Sequence, residues 1–286
     1  MQEQLVRGIE KAAASRTYPD GGHYKALSAA DTQKLARECG LAPREVDIAA
    51  LGRRIIPERY ARNMRSFSAE DQKLLLESRV TVVGTGGLGG TVAETLARIG
   101  VGSLNLIDGD CFEESNLNRQ LFSTETSLGK PKAQTAAARI ASVNATTHVT
   151  CHCCNLEEDN AGELIRGSDL TVDCLDNLPA RFTLQSASQA AGIPMVSAAV
   201  GGQAGQVTAV FPQDPGLELI YGPPHEAADL KGAERSLGNL PFAVTAIAAL
   251  ECSEVVKIIL KRDSALRNRL LIVDLEDYTF ERLRLT

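Results

Sequence analysis

The sequence predicts an α/β protein with a mostly parallel sheet, helices on both of its faces, and antiparallel strands at the C-terminal end. A small helical extension precedes it. Three observations lead there. From Ser68 to Val200, short apolar runs alternate with helix-forming segments. Those runs carry little polar alternation, as befits strands covered on both faces. Beyond Gly201 the texture changes, and the alternating LLIVDLEDYTFERLRL reads as an antiparallel hairpin.

The elements follow in order. Ser28 to Cys39 is a short helix with Ser28 as N-cap and Gly40 as its stop, and Pro43 to about Leu51 is a second. Two short helices about a Gly-Leu turn also fit a DNA-binding helix-turn-helix, but the charge balance favours a small cap packed on the main domain. Residues 1–66 are therefore expected to form a helical extension and residues 67–286 the main domain. SAEDQKLLLES is a helix capped by Ser68. RVTVV is a strand, followed by a helix stopping at Gly100 and the strand SLNLID. A helix from Lys130 to about Asn144 has Pro131 in its first turn. Then come strand HVTCHC, a short helix near 160–166, strand DLTVDCLD, a helix from Pro179 to Gly192, and strand PMVSAAV. GQVTAVF, a long Pro/Gly loop over 212–239, and an apolar helix from Pro241 to Leu260 precede the hairpin.

The turn between RVTVV and its helix carries the first chemical signal. Gly84, Gly86 and Gly89 fall on a G-x-G-x-x-G spacing, with Gly87 added, and Asp108 ends the next strand. A strand, a glycine turn and a helix N-terminus direct backbone N–H groups and the helix dipole at a phosphate, and the carboxylate suits ribose hydroxyls. The architecture is thus Rossmann-like and its ligand an adenosine phosphate. The following loop, DGDCFEESNLNRQLFSTETSLGKPKA, decides between NAD and ATP. It carries Asn116, Asn118, Arg119, Gln120, Lys130 and Lys132, partners for a triphosphate and for charge developing on a departing pyrophosphate. The strand end VDCLDN adds Asp173 and Asp176 where one carboxylate can hold Mg²⁺. No Tyr-x-x-x-Lys pair serves hydride transfer. ATP is favoured.

Composition limits the function classes. Of 286 residues, 44% are hydrophobic and 23% charged, ordinary values for a soluble chain. A net charge of −6 and the absence of Trp argue against broad nucleic-acid binding. The N-terminal MQEQLVRGIEKAAASR lacks a signal-peptide core, and no apolar run suffices to span a bilayer, so a cytoplasmic location without membrane contact is expected. Seven cysteines without C-x-x-C suggest reduced thiols. The run TCHCC (150–154) alternates faces along one strand and cannot wrap a tetrahedral ion, so its cysteines are expected as small buried hydrophobes.

GTGGLGG, the Asp108-Gly-Asp110 triplet, SNLNRQ, GKPKA and DCLDN, in this order, resemble the ThiF/MoeB/HesA group of adenylating enzymes, relatives of the ubiquitin-activating enzymes. The resemblance runs from about Arg59 to the C-terminus, and RYARNMRSFSAEDQ is similar to the family's RYxRQ segment. It implies adenylation, with MgATP, of a small ubiquitin-like sulfur-carrier protein ending in Gly-Gly. Gly84, Gly86, Gly87 and Gly89 would cradle the phosphates, with Asp108 on the ribose and Asp110 beside it. Asn116, Arg119 and Lys132 would contact the triphosphate, with Gln120 assisting, and Asp176 would be the Mg²⁺ ligand. Arg62 would reach the γ-phosphate of the partner subunit in a homodimer.

Two departures are visible. The C-terminal third has no C-x-x-C pair, so no zinc is expected, and ELIYGPPHEAADLKGAERSLGNL contains no cysteine to take over the acyl group. The adenylate would pass to an external acceptor. Two other readings are a non-catalytic ATP-binding scaffold of the same fold and adenylation of a modified tRNA base. The intact Arg119, Lys132 and Asp176 count against the first, and the acidic charge and missing loop cysteine against the second.

Overall fold

The computed structural model describes residues 2–227 and 234–286. Helix α1 (Gln2–Ala12) leads into β1 (Ala14–Thr17) and β2 (His23–Leu27), then α2 (Ala29–Cys39), α3 (Pro43–Leu51) and β3 (Ile55–Pro57). The main body comprises α4 (Ala69–Glu77), β4 (Arg79–Val83), α5 (Gly87–Ile99), β5 (Ser103–Ile107), α6 (Lys132–Val143), β6 (His148–His152), α7 (Ala161–Leu164), β7 (Leu170–Asp173), α8 (Leu178–Ala190), β8 (Met195–Gly201) and β9 (Ala204–Val210). Short helices α9 (Glu218–Tyr221), α10 (Pro224–Ala227) and α11 (Glu234–Leu237) precede α12 (Pro241–Ile259), β10 (Arg269–Asp274) and β11 (Thr279–Arg284).

The large sheet has the order β11-β10-β9-β8-β7-β4-β5-β6. Strands β6, β5, β4, β7 and β8 are parallel, and β9, β10 and β11 extend the sheet antiparallel. The chain winds outward from β4 through β5 to β6, then returns to place β7 on the other side of β4. That reversal opens a crevice at the carboxyl ends of β4 and β7, where ligands of open α/β sheets bind. The core beneath it joins Val80, Val82, Leu104, Leu106 and Val172 of the strands to Val92 and Leu96 of α5 and Ile247 and Val255 of α12. Helix α12 buries Ala243, Val244, Ile247, Ala248, Cys252 and Val255 in its own chain and leaves Phe242 half exposed. Most of its apolar surface is therefore used within the chain.

The N-terminal extension departs from a purely helical reading. It contains a three-stranded sheet, β1-β2-β3, closed by a turn in which the Tyr18 amide donates to the Gly22 carbonyl at 2.7 Å. Its strands ASRT and HYKAL carry too few apolar residues to show a period of two, and β3 is three residues ending on proline. Leu5, Ile9, Leu27, Leu35, Val46 and Ile55 form a separate small core. The predicted loop over 212–239 also differs, since three helical turns interrupt it. Residues 228–233, in the middle of that loop, lie outside the described residues. The TCHCC cysteines are not buried as expected. Cys151 lies on the edge strand β6 and is half-buried, while Cys153 and Cys154 follow the strand's end and are exposed and half-buried respectively.

The extension is fastened at the amino ends of the strands, opposite the crevice. Arg44 donates to the Gly102 carbonyl, just before β5, at 3.1 Å. Arg59 bonds to Asn144, whose amide donates to the Tyr60 hydroxyl at 3.0 Å and the Ala97 carbonyl at 2.8 Å. Asp47, almost wholly buried, accepts from the hydroxyls of Thr32 at 2.8 Å and Thr146 at 3.2 Å. Burial pushes its carboxyl up to about 6, against the two hydroxyls that favour the charge. A folded pKa above the unfolded value means the native state holds the proton more tightly. Stability from this group is therefore present at low pH and is lost as pH rises from about 4 through 6. Asp47→Asn should abolish that loss. In urea titrations, the variant's stability relative to wild type should rise by about 2 kcal/mol between pH 4 and pH 7. A difference independent of pH would show that Asp47 does not titrate in this range.

Candidate nucleotide and adenylation site

The glycine turn is shaped by close approach. Gly84 has φ +84°, and a Cβ there would lie 2.6 Å from the Cys174 carbonyl oxygen on the neighbouring strand end. A Cβ on Gly89 would fall 1.8 Å from the Gly84 oxygen, so α5 begins directly on the turn. Gly86 is the N-cap and supplies no side-chain bond, which leaves the first N–H groups of α5 directed into the crevice. Donors so arranged at a helix start suit an anion.

Asp108, buried at the end of β5, locks the turn. Its Oδ2 accepts from the Thr85 amide at 2.6 Å and the Thr85 hydroxyl at 3.1 Å, and its Oδ1 accepts from the Asp110 amide at 2.9 Å. Carboxylate oxygens have further lone pairs, so these bonds leave capacity for ribose hydroxyls. Asp110 is exposed and pairs with the ammonium of Lys132 at 2.8 Å, while the Lys132 stem is buried at the start of α6. A triphosphate would compete with Asp110 for that ammonium.

The loop before α6 supplies the other groups. Arg119 lays its stem over Gly87, with Cγ 3.7 Å from where a Cβ would stand. Its exposed guanidinium donates to the Ser115 carbonyl at 2.9 Å and to Asn118 Oδ1 at 2.7 Å. Gln120 is buried against Gly86, and its Oε1 has no partner. An orphaned buried acceptor next to the phosphate turn fits a site completed by ligand. Asn116 is also buried, but its carbonyl braces its own turn by accepting from the Glu113 amide at 3.0 Å. Its amide has only a long 3.4 Å contact to Ser115 Oγ and is the part free to donate.

Across the crevice, Asp176 is exposed, and its Oδ1 accepts only from Asn177 Nδ2 at 3.3 Å. An oxygen ligand so weakly engaged suits a hard cation that completes its shell with phosphates and water. Among the described residues no group of three or more His, Cys, Asp or Glu gathers as a metal cluster, and the TCHCC run does not converge. Asp173, offered with Asp176 from the sequence, is fully buried and engaged with Arg181 and Ser197, so it is no ligand for an incoming ion. Sequence reasoning missed Thr85 and Arg181. The only available signals were a hydroxyl inside the glycine motif and an arginine on an otherwise uncharged helix.

Arg62 is exposed and stands apart. Its neighbour Asn63 donates to the Ile99 carbonyl at 3.3 Å, at the far end of α5 from the glycine turn. Thirteen helical residues separate the two ends by about 20 Å, farther than an arginine side chain extends. Among the cysteines, Cys174 contacts the buried Glu251 at 3.5 Å, and desolvation pushes its thiol well up, which makes it a poor nucleophile. No helix among the described residues is long and apolar enough to cross a membrane.

Comparison with known proteins gives the family. A sequence model of the ThiF family matches residues 60–286. The chain is 37% identical over 228 residues to the SAMP-activating enzyme E1 of Haloferax volcanii, covering 78% of this chain and 83% of that one. It is 35% identical over 259 residues to adenylyltransferase and sulfurtransferase MOCS3 of Drosophila grimshawi, covering 89% of this chain and 54% of the relative. It thus spans about half the length of that relative. Among solved structures, E. coli MccB with AMPCPP and MccA gives a TM-score of 0.68 at 20% identity, over 90% of this chain and 79% of that one. E. coli tRNA N6-threonylcarbamoyladenosine dehydratase, TcdA, gives 0.61 at 24% identity, over 72% and 95%. These two likenesses are of fold. The chain belongs to the ThiF family of E1-like, ATP-dependent adenylating enzymes.

Proposed function

We propose that this protein adenylates the C-terminal carboxylate of a small ubiquitin-like sulfur-carrier protein ending in Gly-Gly. The observation that carries the reading is the convergence of the uncapped start of α5 with Arg119 and Lys132 in the crevice. The relatives named SAMP-activating enzyme E1 and adenylyltransferase and sulfurtransferase support the substrate class.

In this mechanism the carrier carboxylate oxygen attacks the α-phosphorus of ATP, and the bond from that phosphorus to the bridging oxygen breaks. The products are an acyl-adenylate and pyrophosphate. The N–H groups from Gly86 onward hold the phosphates and Asp108 holds the ribose. Arg119 and Lys132 neutralise charge that builds on the α-phosphate and the departing pyrophosphate, with Asn116 and Gln120 bracing the same oxygens. Asp176 would hold Mg²⁺, which when bound neutralises phosphate charge. The acyl group then passes to an external acceptor, and AMP leaves.

The working unit is a homodimer in which Arg62 reaches the partner's triphosphate. The separation between Arg62 and its own glycine turn supports action in trans.

ATP with Mg²⁺ should raise the thermal midpoint and NAD should not. Binding to the native state alone adds about 2.7 kcal/mol at a hundredfold excess over Kd. Equal stabilisation by NAD would overturn the nucleotide assignment.

Arg119→Ala and Lys132→Ala should bind ATP with modest loss, yet slow carrier-dependent ATP–pyrophosphate exchange by roughly 10²–10³-fold. Near-normal exchange in both variants would remove these residues from the chemistry, and exchange driven by tRNA instead of a carrier would replace the substrate.

Arg62→Ala and Lys132→Ala should each be nearly inactive. Co-expressed, they should recover up to about a quarter of wild-type activity, because half of randomly paired dimers hold one intact composite site. A demonstrated heterodimer without activity would remove Arg62 from the site.

A further inference from the structure

The turn that carries Asp176 is held by a buried polar clamp that the proposed chemistry does not itself use. Leu175, immediately before Asp176, has both backbone polar groups engaged. Its N–H donates to Asp173 Oδ1 at 3.1 Å, and its carbonyl accepts from Arg181 Nη2. Arg181 Nη1 donates to Asp173 Oδ2 at 3.1 Å, Ser197 Oγ at 3.3 Å and the Ala198 carbonyl at 2.8 Å. The Ser197 hydroxyl closes the set by donating to Asp173 Oδ2 at 2.6 Å. The Asp173 side chain is 0% exposed and that of Arg181 7%.

A buried ion pair is weak support for stability, because desolvation of both ions offsets most of their attraction. What this one does is geometric. A planar guanidinium with fixed donor directions ties a backbone carbonyl on the turn to one on β8, through a carboxylate at the end of β7. On the near side, the Cys174 amide donates to the Val83 carbonyl at 3.0 Å, and the Cys174 carbonyl forms the floor under Gly84. On the far side, Asn177 caps α8 by accepting from the Ala180 amide at 3.0 Å. The Asp176 carboxylate, with one weak contact of its own, is thus carried on a backbone fixed on both sides and joined to the phosphate turn.

We propose that Arg181, acting through Asp173 and Ser197, is a positioning residue that sets the Asp176 carboxylate against the cation bound with the nucleotide. The inference rests on the reading of Asp176 as the ligand of that cation. Partners of this outer kind, when removed, weaken metal affinity by about 10- to 100-fold.

The test is binding of Mn²⁺ to the full chain in the presence of a non-hydrolysable ATP analogue, followed by the electron paramagnetic resonance signal of free Mn²⁺. Nucleotide affinity is measured separately. Arg181→Lys keeps the charge beside Asp173 and loses the fork. It should weaken Mn²⁺ binding by about 10-fold or more, with analogue affinity and thermal midpoint much less affected. Asp176→Asn is the control. If it weakens Mn²⁺ binding and Arg181→Lys does not, the positioning role fails while the Asp176 reading stands. If Asp176→Asn leaves Mn²⁺ binding unchanged, the Asp176 reading itself fails. Parallel loss of metal, nucleotide and thermal stability in Arg181→Lys would show a structural brace and overturn the proposal. Should Arg181→Lys not fold, Ser197→Ala decides. About a threefold loss of Mn²⁺ affinity with nucleotide binding intact supports the role, and no change overturns it.

Discussion

The crevice depends on one steric constraint, the contact of backbone on backbone where Gly84 meets the carbonyl of Cys174. A side chain at Gly84 would separate the ends of β4 and β7, and one at Gly89 would lift α5 off the turn. With both absent, three things come together at the point where the strand order reverses. The first N–H groups of α5 face the crevice, Asp108 closes over Thr85 from β5, and the Leu175–Asn177 turn from β7 lies against the phosphate turn. The charged groups matter only because this contact gives them a common point to face.

The sequence disclosed the elements whose physics is local. The Ser68 cap, the stop at Gly100, the alternation of apolar runs and helices, and the closing hairpin are each set by a few neighbouring residues, and each lies where expected. The N-terminal sheet was not legible, because its strands are short, polar and stabilised from outside by α1, α2 and α3. At the site, residue types and order named the groups but not their present partners. Nothing in DCLDN tells that Asp173 turns inward to Arg181 while Asp176 turns outward. Strand alternation does not reach Asp176, because β7 ends at Asp173.

Position along the sheet accounts for the separation between the extension and the chemistry. Arg44, Asp47, Arg59 and Tyr60 bind the segments that enter β5 and β6, whereas the groups proposed to face the subunit's own nucleotide lie where strands leave the sheet. The joint sets polar contacts beside an apolar cluster of Leu51, Tyr60 and Leu76, and Asp47 takes a burial cost that the Thr32 and Thr146 hydroxyls only partly offset. The polar contacts fix orientation more than they add stability. Arg62 follows directly from it, and so its location is set by the extension as much as by the main domain.

The site divides into groups already fixed and groups left loose. Asp108 with Thr85, and Asp173 with Arg181, are buried and held by internal bonds before any ligand arrives, Asp108 with lone pairs to spare. Asp110 and Asp176 are exposed and Arg119 is half-buried, and Lys132 has a buried stem with a single carboxylate partner. Preorganised dipoles act on developing charge without reorganising, which the fixed helix N-terminus provides. Mobile charges, by contrast, lose rotamer freedom when they engage, a cost of up to ~2 kcal/mol for a long side chain. A triphosphate that draws Lys132 from Asp110, gives Gln120 Oε1 a bridging water as partner and orders Arg119 would meet that cost at binding, before the bond to the α-phosphorus forms. In the proposed mechanism the completed arrangement would then face the transition state already ordered.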